Sequence, residues 1–383
     1  MTAIKFPILF LLAFLVGSDE FLLGPILAPI GDDLGVPPER VTLFIAAYAL
    51  PLALLAPAAG FLSDRYGRLN VLLPATAIFA VASILTGFAS SFGWALALRV
   101  LTGVGSAGML PIAFAIAADE GDQSARGISF VMGGLTTGIM ISPGLGAFVS
   151  DLWSWRAAFI LLGAAALVTV LPALVLWRSD RPVAHGEVPA SCSRVLVPGA
   201  VGALCGMFFG IGGAVGVYSL VGERLRDVLI LDTQQIGLVY VGFGVLSVAG
   251  NALAPGAIRR IGGARQTMRL AIGIVVFCVV AVFALPAPSL PSIGLALAVW
   301  ALLGGIGAPA LQAHIAGLSA ARRGTLMALG SSALNLGVAL AATLAGEAYL
   351  HGSGWVALLG AVLLTVAIVA LARPREPGPA PSG

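Results

Sequence analysis

Gly60-Phe61-Leu62-Ser63-Asp64-Arg65-Tyr66-Gly67-Arg68 lies between two long apolar runs and decides how this chain is read. Its surroundings are greasy: 59% of the 383 residues are hydrophobic, 10% are charged, and the mean hydropathy is +1.04. Water-soluble domains carry about 25% charged residues, so this composition falls outside their range. Apolar runs longer than about 18 residues read as membrane-crossing helices. An acid and two arginines beside turn-forming glycines then read as a hairpin loop joining two such helices.

Working outward, Pro, Gly and charged residues divide the chain into twelve predicted helices. The first six cover about 6–30, 41–62, 71–89, 94–118, 127–150 and 156–177, and the second six about 196–220, 233–256, 267–286, 291–316, 325–349 and 354–372. The expected organisation is an all-α integral membrane protein in two pseudo-symmetric halves. Residues 1–177 form the N-terminal six-helix half, 178–195 a cytoplasmic linker, 196–372 the C-terminal half, and 373–383 a cytoplasmic tail. The first apolar run continues to Ile30 without a small-residue cleavage site, so it reads as a retained helix.

Charge sets the expected orientation. With the N-terminus inside, Lys5, Arg65, Arg68, Arg126, Arg178, Arg181, Arg194, Arg259, Arg260, Arg265, Arg269, Arg322, Arg323, Arg373 and Arg375 fall on the cytoplasmic side, 15 in all. Arg40, Arg156, Arg224 and Arg226 make 4 outside, and Arg99 lies within a helix. Both termini are therefore expected in the cytoplasm, with the chain in a bacterial-type plasma (inner) membrane. The same bias accounts for the net charge of +3; no dense basic stripe with interleaved aromatics points to nucleic acid. Cys192, Cys205 and Cys278 are too scattered for a disulfide framework or a metal site. No cofactor or metal is expected.

A faint repeat agrees with two halves. Aligning Gly60 with Gly256 also pairs Leu62 with Ile258 and Gly67 with Gly263, each set following the second helix of its half. Transporters built from such repeats bind substrate near the midplane.

Asp19 and Glu20 lie midway along the first predicted helix. An ionised carboxylate at that depth costs at least about 2.5–3.5 kcal/mol on insertion scales, so its expected role is reversible protonation. A fixed ion pair is the competing reading. The two acids project about 100° apart. Glu20 shares a stripe with Gly17, Gly24 and Ala28, whereas Asp19 shares the greasier row of Leu12, Val16, Leu23 and Ile26; Glu20 is accordingly the better cavity candidate. Arg99 is expected to approach these acids and set their proton affinity, with anchoring at the outer interface as its alternative. Tyr48, Tyr218, Tyr240, Gln312 and Asn335 are possible cavity-lining groups, although isolated polar residues more often bond between helices.

Residues 60–68 resemble the loop signature of the major facilitator superfamily, G-x-L-a-D-r-x-G-r, with Ser63 at its small position. Gly17-Ser18-Asp19-Glu20-Phe21, followed by Leu34-Gly35-Val36, is similar to the first helix of the sugar- and drug-efflux branch, where an acid before Phe recurs. Arg99-Val-Leu-Thr-Gly103-Val-Gly105-Ser-Ala107 resembles the family's fourth-helix pattern R-x-x-x-G-x-G-x-a. Gly134, Gly138, Ser142, Pro143 and Gly146 resemble the antiporter signature g-x-x-x-G-P-x-x-G, with Ser142 replacing a glycine; Asp151 and Trp155-Arg156-Ala-Ala-Phe159 look like the following efflux-family loop. The resemblance implies a twelve-helix, proton-coupled exporter of drugs, sugars or related metabolites, expected to work as a monomer on a small molecule and protons. It also implies a conformational latch at Asp64, Arg65, Arg68 and Asp119, with Asp64 facing the start of the eleventh helix and Arg68 pairing with Asp119, Glu120 or Asp122. An uncoupled facilitator or importer is the alternative within this class. A membrane-embedded enzyme is disfavoured: the two acids are neighbours on one helix, and neither H-E-x-x-H nor G-x-S-x-G occurs.

Overall fold

The computed structural model describes residues 2–120, 123–176, 197–286, 288–319 and 322–372. The expected linker (178–195) and tail (373–383), together with Asp122 and Cys192, lie outside the described residues. All regular structure within them is helical, as hydrocarbon requires of a chain with no other partner for its backbone. In order the helices are α1 (Lys5–Phe21 continued by Gly24–Leu34), α2 (Pro38–Tyr66), α3 (Arg68–Gly87), α4 (Phe92–Ala118), α5 (Ser124–Leu152) and α6 (Trp155–Leu176). They continue as α7 (Ala200–Leu229), α8 (Thr233–Ile261), α9 (Ala264–Ala284), α10 (Leu290–Ala316), α11 (Arg323–Leu350) and α12 (Ser353–Ala372). Ten of these are long and apolar enough to cross a membrane, and the bent pair in α1 makes an eleventh span.

Two local departures from expectation have clear causes. The stretch 60–68 is not an open loop: α2 runs through Tyr66, α3 begins at Arg68, and Gly67 alone turns the chain at φ 98°, ψ 143°. That left-handed conformation suits glycine, which has no Cβ. The first helix is not continuous either. It breaks after Phe21, passes through a short 3₁₀ segment at Gly24–Ile26, and resumes bent by 40°. Pro25 has no N–H to give the helix ladder, so the break falls where a donor is missing.

The chain forms two compact units, Met1–Val188 with Leu225–Val241, and Pro189–Arg224 with Gly242–Gly383. The end of α7 and the start of α8 thus group with the first six helices. Within this first unit the Tyr240 ring lies against Gly24, and Gly237 lies against Ala147.

Glycine contacts show how each unit is packed. In the first unit α1 meets α5: a Cβ on Gly134 would strike the Phe10 carbonyl, and one on Gly138 the Phe14 carbonyl. Gly103 of α4 faces the Tyr48 carbonyl of α2, and Gly163 of α6 faces Ala80 of α3. The second unit repeats all three pairings. Gly337 of α11 meets the Phe208 carbonyl of α7, Gly305 of α10 meets the Ser247 carbonyl of α8, and Gly360 of α12 meets Val279 of α9. The turn repeats as well, since Gly263 opens α9 at φ 113°, ψ 163°. The weak Gly67–Gly263 alignment therefore corresponds to one backbone device used twice. Because lipid is as apolar as leucine, such close backbone approach is a main source of helix association.

Adjacent glycines in α5 offer a test. Gly134→Ala pushes a methyl into the Phe10 carbonyl, whereas a Cβ on Gly133 meets only the Phe10 ring edge at 3.7 Å. Thermal unfolding in detergent is expected to show Gly134→Ala destabilised by about 1–3 kcal/mol, with Gly133→Ala within about 0.5 kcal/mol of the parent. Equal shifts would refute this packing.

Candidate functional site

The centre of the first unit holds a closed ion pair. Both oxygens of the Asp19 carboxylate accept from Arg99 Nη1, at 2.7 and 2.8 Å, and both side chains are 0% exposed. The Arg99 guanidinium carbon lies 4.9 Å from the centre of the Tyr48 ring and 5.4 Å from that of Phe159. Tyr48 in turn donates from its hydroxyl to the Val16 carbonyl at 3.5 Å. Side chains from α1, α2, α4 and α6 thus converge on one cation. Two of its donors, Nε and Nη2, have no hydrogen-bond partner among the described residues.

This placement corrects the reading of the first helix. Asp19 does not face lipid, because its row is the protein interior: Leu12 is 2% exposed, Val16 0%, Leu23 1% and Ile26 0%. Leucine and valine are equally at home in hydrocarbon and in a protein core, so their presence cannot distinguish the two. The small-residue stripe is divided, with Gly17 packed against Leu135 of α5 and Gly24 beyond the break. Glu20 is half-buried, and no hydrogen bond or ion pair holds its carboxylate among the described residues. Arg99, at 0% exposure, is not an interfacial anchor.

The remaining polar candidates are dispersed. Tyr48 belongs to the ion-pair cluster, and Tyr240 is buried against Gly24 in the same unit. In the second unit Tyr218 packs on Phe243 at 4.1 Å and on Trp300 at 5.8 Å between ring centres. Gln312 is exposed on α10. Asn335 of α11 donates to the Ser331 carbonyl at 3.0 Å, while its buried Oδ1 has no partner among the described residues. Sequence reasoning missed Phe159 as a cation partner and the Tyr218–Phe243–Trp300 cluster. Phe159 closes the Trp155–Phe159 motif and Tyr218 was a polar candidate, but neither signal indicated a cation or an aromatic partner.

In α5 the row spaced by four lies along α1. Gly134, Gly138 and Gly146 face Phe10, Phe14 and Leu22, while Ser142 and Pro143 are buried between them. At the end of the unit that carries the 60–68 stretch, Arg68 pairs with Asp64 one turn away and with Asp119 Oδ2 at 3.2 Å. Its Nη1 also donates to Ser63 Oγ at 2.9 Å. Glu120 pairs with Lys5 at 3.0 Å and not with Arg68. Arg65 is exposed, with its guanidinium beside the Tyr66 ring. At the opposite end Asp33 receives both Arg156 Nη2 at 2.7 Å and Trp155 Nε1 at 2.9 Å. Arg156 also donates to the Gly87 and Ala89 carbonyls.

A buried pair of this kind is costly to break from one side. Removing either partner leaves an uncompensated charge, at about 3–5 kcal/mol, whereas replacing both with apolar groups can be neutral. Asp19→Leu and Arg99→Met are each expected to lower the unfolding temperature strongly, and the double variant to recover most of the loss. Additive losses in the double variant would show that the two side chains act separately.

Comparisons with known proteins follow the same lines. The chain is 24% identical to the MFS-type transporter YbcL of Bacillus subtilis over 373 residues, which is 95% of this chain and 94% of the relative. The bacillibactin exporter of Bacillus subtilis is 35% identical over 147 residues, 36% of each chain. Among solved structures, a bacterial homolog of the human lysosomal transporter Spinster superposes with a TM-score of 0.71 at 17% identity, covering 97% of this chain and 94% of that one. The Major Facilitator Superfamily model matches residues 9–225 and 202–383. With its helices, paired units and glycine turns already accounted for, the chain is a membrane transporter that belongs to the Major Facilitator Superfamily.

Proposed function

We propose that this protein is a proton-coupled exporter that moves small molecules out across a plasma membrane by alternating access. One observation carries the reading: a bridged acid, Asp19, and an unbridged acid, Glu20, adjoin each other on a membrane-spanning helix. A carboxylate at that depth without an ion partner is costly unless it serves a function, and gaining and losing a proton is the chemistry available to it. Glu20 is the proposed proton carrier, and the Asp19–Arg99 pair fixes the charge around it. An arginine holds its proton at accessible pH, so Arg99 contributes a permanent positive charge and not a proton.

Export is supported by the local similarity to the bacillibactin exporter and by the small-residue row of α5. The substrate class proposed is drugs, sugars or related metabolites, with Tyr48, Tyr218, Tyr240, Gln312 and Asn335 as candidate contacts. Asp64, Arg65, Arg68 and Asp119 are the proposed conformational latch, whose ion pairs rearrange on switching. The charge bias supports both termini lying in the cytoplasm, and a monomer is the proposed working unit.

Reconstitution into liposomes with an imposed pH gradient tests the coupling. With a panel of drugs, sugars and nucleosides, proton flux is expected to appear only beside a transported compound. Glu20→Gln is expected to reduce that flux to the leak of protein-free liposomes while preserving substrate binding. Wild-type flux in this variant would overturn Glu20 as carrier, and loss in Asp19→Asn alone would transfer the role to Asp19.

Arg68→Gln tests the latch separately. Exposed pairs contribute about 0–1 kcal/mol to stability, so its unfolding temperature is expected to stay near the parent value while the transport turnover falls. Unchanged turnover would reduce the cluster to surface solvation.

A further inference from the structure

The corner where α7 turns into α8 holds an isoleucine in a conformation that isoleucine avoids. Ile230 has φ 53°, the one positive φ outside glycine among the described residues. It follows Leu229, the last helical residue of α7, and its N–H donates to the Arg226 carbonyl at 3.0 Å. Helices commonly end this way with glycine, because a Cβ in the left-handed region crowds the backbone and a β-branched side chain crowds it further. The Ile230 side chain is 88% exposed, so no burial within the protein offsets that strain.

The neighbouring contacts show what imposes the conformation. Four residues before Ile230, Arg226 Nη2 donates to the Pro25 carbonyl in the break of α1 at 3.4 Å. Four residues after it, Gln234 Nε2 donates to Asp151 Oδ2 at the end of α5 at 2.6 Å. Asp232 and Gln235 cap the start of α8 reciprocally, at 2.8 and 3.1 Å. Further along α8, a Cβ on Gly237 would come within 2.5 Å of Ala147, and one on Gly24 within 2.4 Å of the Tyr240 ring. With both helix ends tied to α1 and α5, only Ile230, Leu231 and Asp232 remain to reverse the chain. The left-handed step at Ile230 achieves that. All these contacts lie within the first unit, although the chain on either side of 225–241 belongs to the second.

We propose that residues 226–240 form a strained clasp over the break of α1, and that the Ile230 backbone favours its release. Strain held only while both ends are docked is relieved when either lets go, so it lowers the cost of undocking; such strain collects in switch segments. Glu20 and Phe21 are the last two residues of α1 before the break, so the clasp sets solvent access to the proposed proton carrier from this side. That consequence rests on the reading of Glu20 given above, whereas the clasp itself rests on backbone geometry.

Hydrogen–deuterium exchange of the full-length protein in lipid nanodiscs, with neither substrate nor pH gradient, tests the clasp without depending on proton coupling. The readout is the exchange rate of backbone amides at 22–27, which follows the undocked population. Ile230→Gly is expected to slow that exchange about fivefold, since glycine adopts the left-handed conformation at little cost. Ile230→Ala, which keeps the Cβ, is expected to remain within about twofold of the parent. Gly237→Ala, which forces α8 away from Ala147, is expected to speed exchange about fivefold. Amides at 72–86 in α3, outside the clasp, are expected to keep the parent rate in both Ile230 variants. Unchanged exchange in Ile230→Gly, an equal slowing in Ile230→Ala, or a matching slowing at 72–86 would overturn Ile230 as a strained hinge. Unchanged exchange in a monodisperse Gly237→Ala protein would overturn the clasp as the cover of the break.

Discussion

Hydrocarbon offers no hydrogen-bond partner, so every charge placed at membrane depth must be compensated within the protein. The Asp19–Arg99 pair is where that constraint acts most strongly here. Both side chains are fully enclosed, and the loss of hydration is offset by a short charge-assisted contact and two aromatic faces. The arrangement requires α1, α2, α4 and α6 to meet at one place. It therefore fixes the interior of the first unit as much as any apolar contact does. It also distinguishes two neighbouring acids, since Asp19 is held by arginine while no hydrogen bond or ion pair holds Glu20 among the described residues.

Close backbone approach supplies the remaining order. The same three helix pairings, marked by glycines, occur in both units, and the same positive-φ glycine opens α3 and α9. The units use this shared scaffold differently. The first encloses an ion pair and carries the peripheral pairs Lys5–Glu120, Arg68–Asp119 and Arg156–Asp33. The second encloses an aromatic cluster instead and concentrates arginines at one end. A repeated backbone has thus diverged in charge.

The peripheral pairs have a different character from the central one. They are partly exposed, so water and salt weaken each of them. Their importance is geometric. Arg156 joins the end of α1 to the end of α3 through Asp33 and two backbone carbonyls, and Arg68 joins the α2–α3 turn to the end of α4. Such contacts hold helix ends in a specific place while each adds little to stability.

Much of this was legible in the sequence. Apolar length identified the helices, because a bilayer sets a minimum span. The 60–68 stretch identified the turn after α2, since a positive-φ position demands a residue such as Gly67. The four-residue spacing of Gly134, Gly138, Ser142 and Gly146 marked a face for close packing, because helix geometry places those residues in one row. Pairing and facing were not legible. The sequence favoured Glu20 over Asp19 for the inward position by treating a greasy row as lipid-facing, and it treated the first helix as unbroken. Hydrophobicity reports only that a residue avoids water, and lipid and protein core satisfy it equally. Which row meets α4, and so which acid meets Arg99 across 80 positions of chain, depends on the bend at Pro25 and on the docking of α1 along α5. Only the tertiary structure decides those, because they arise from steric fit between distant segments and not from any local preference of the residues themselves.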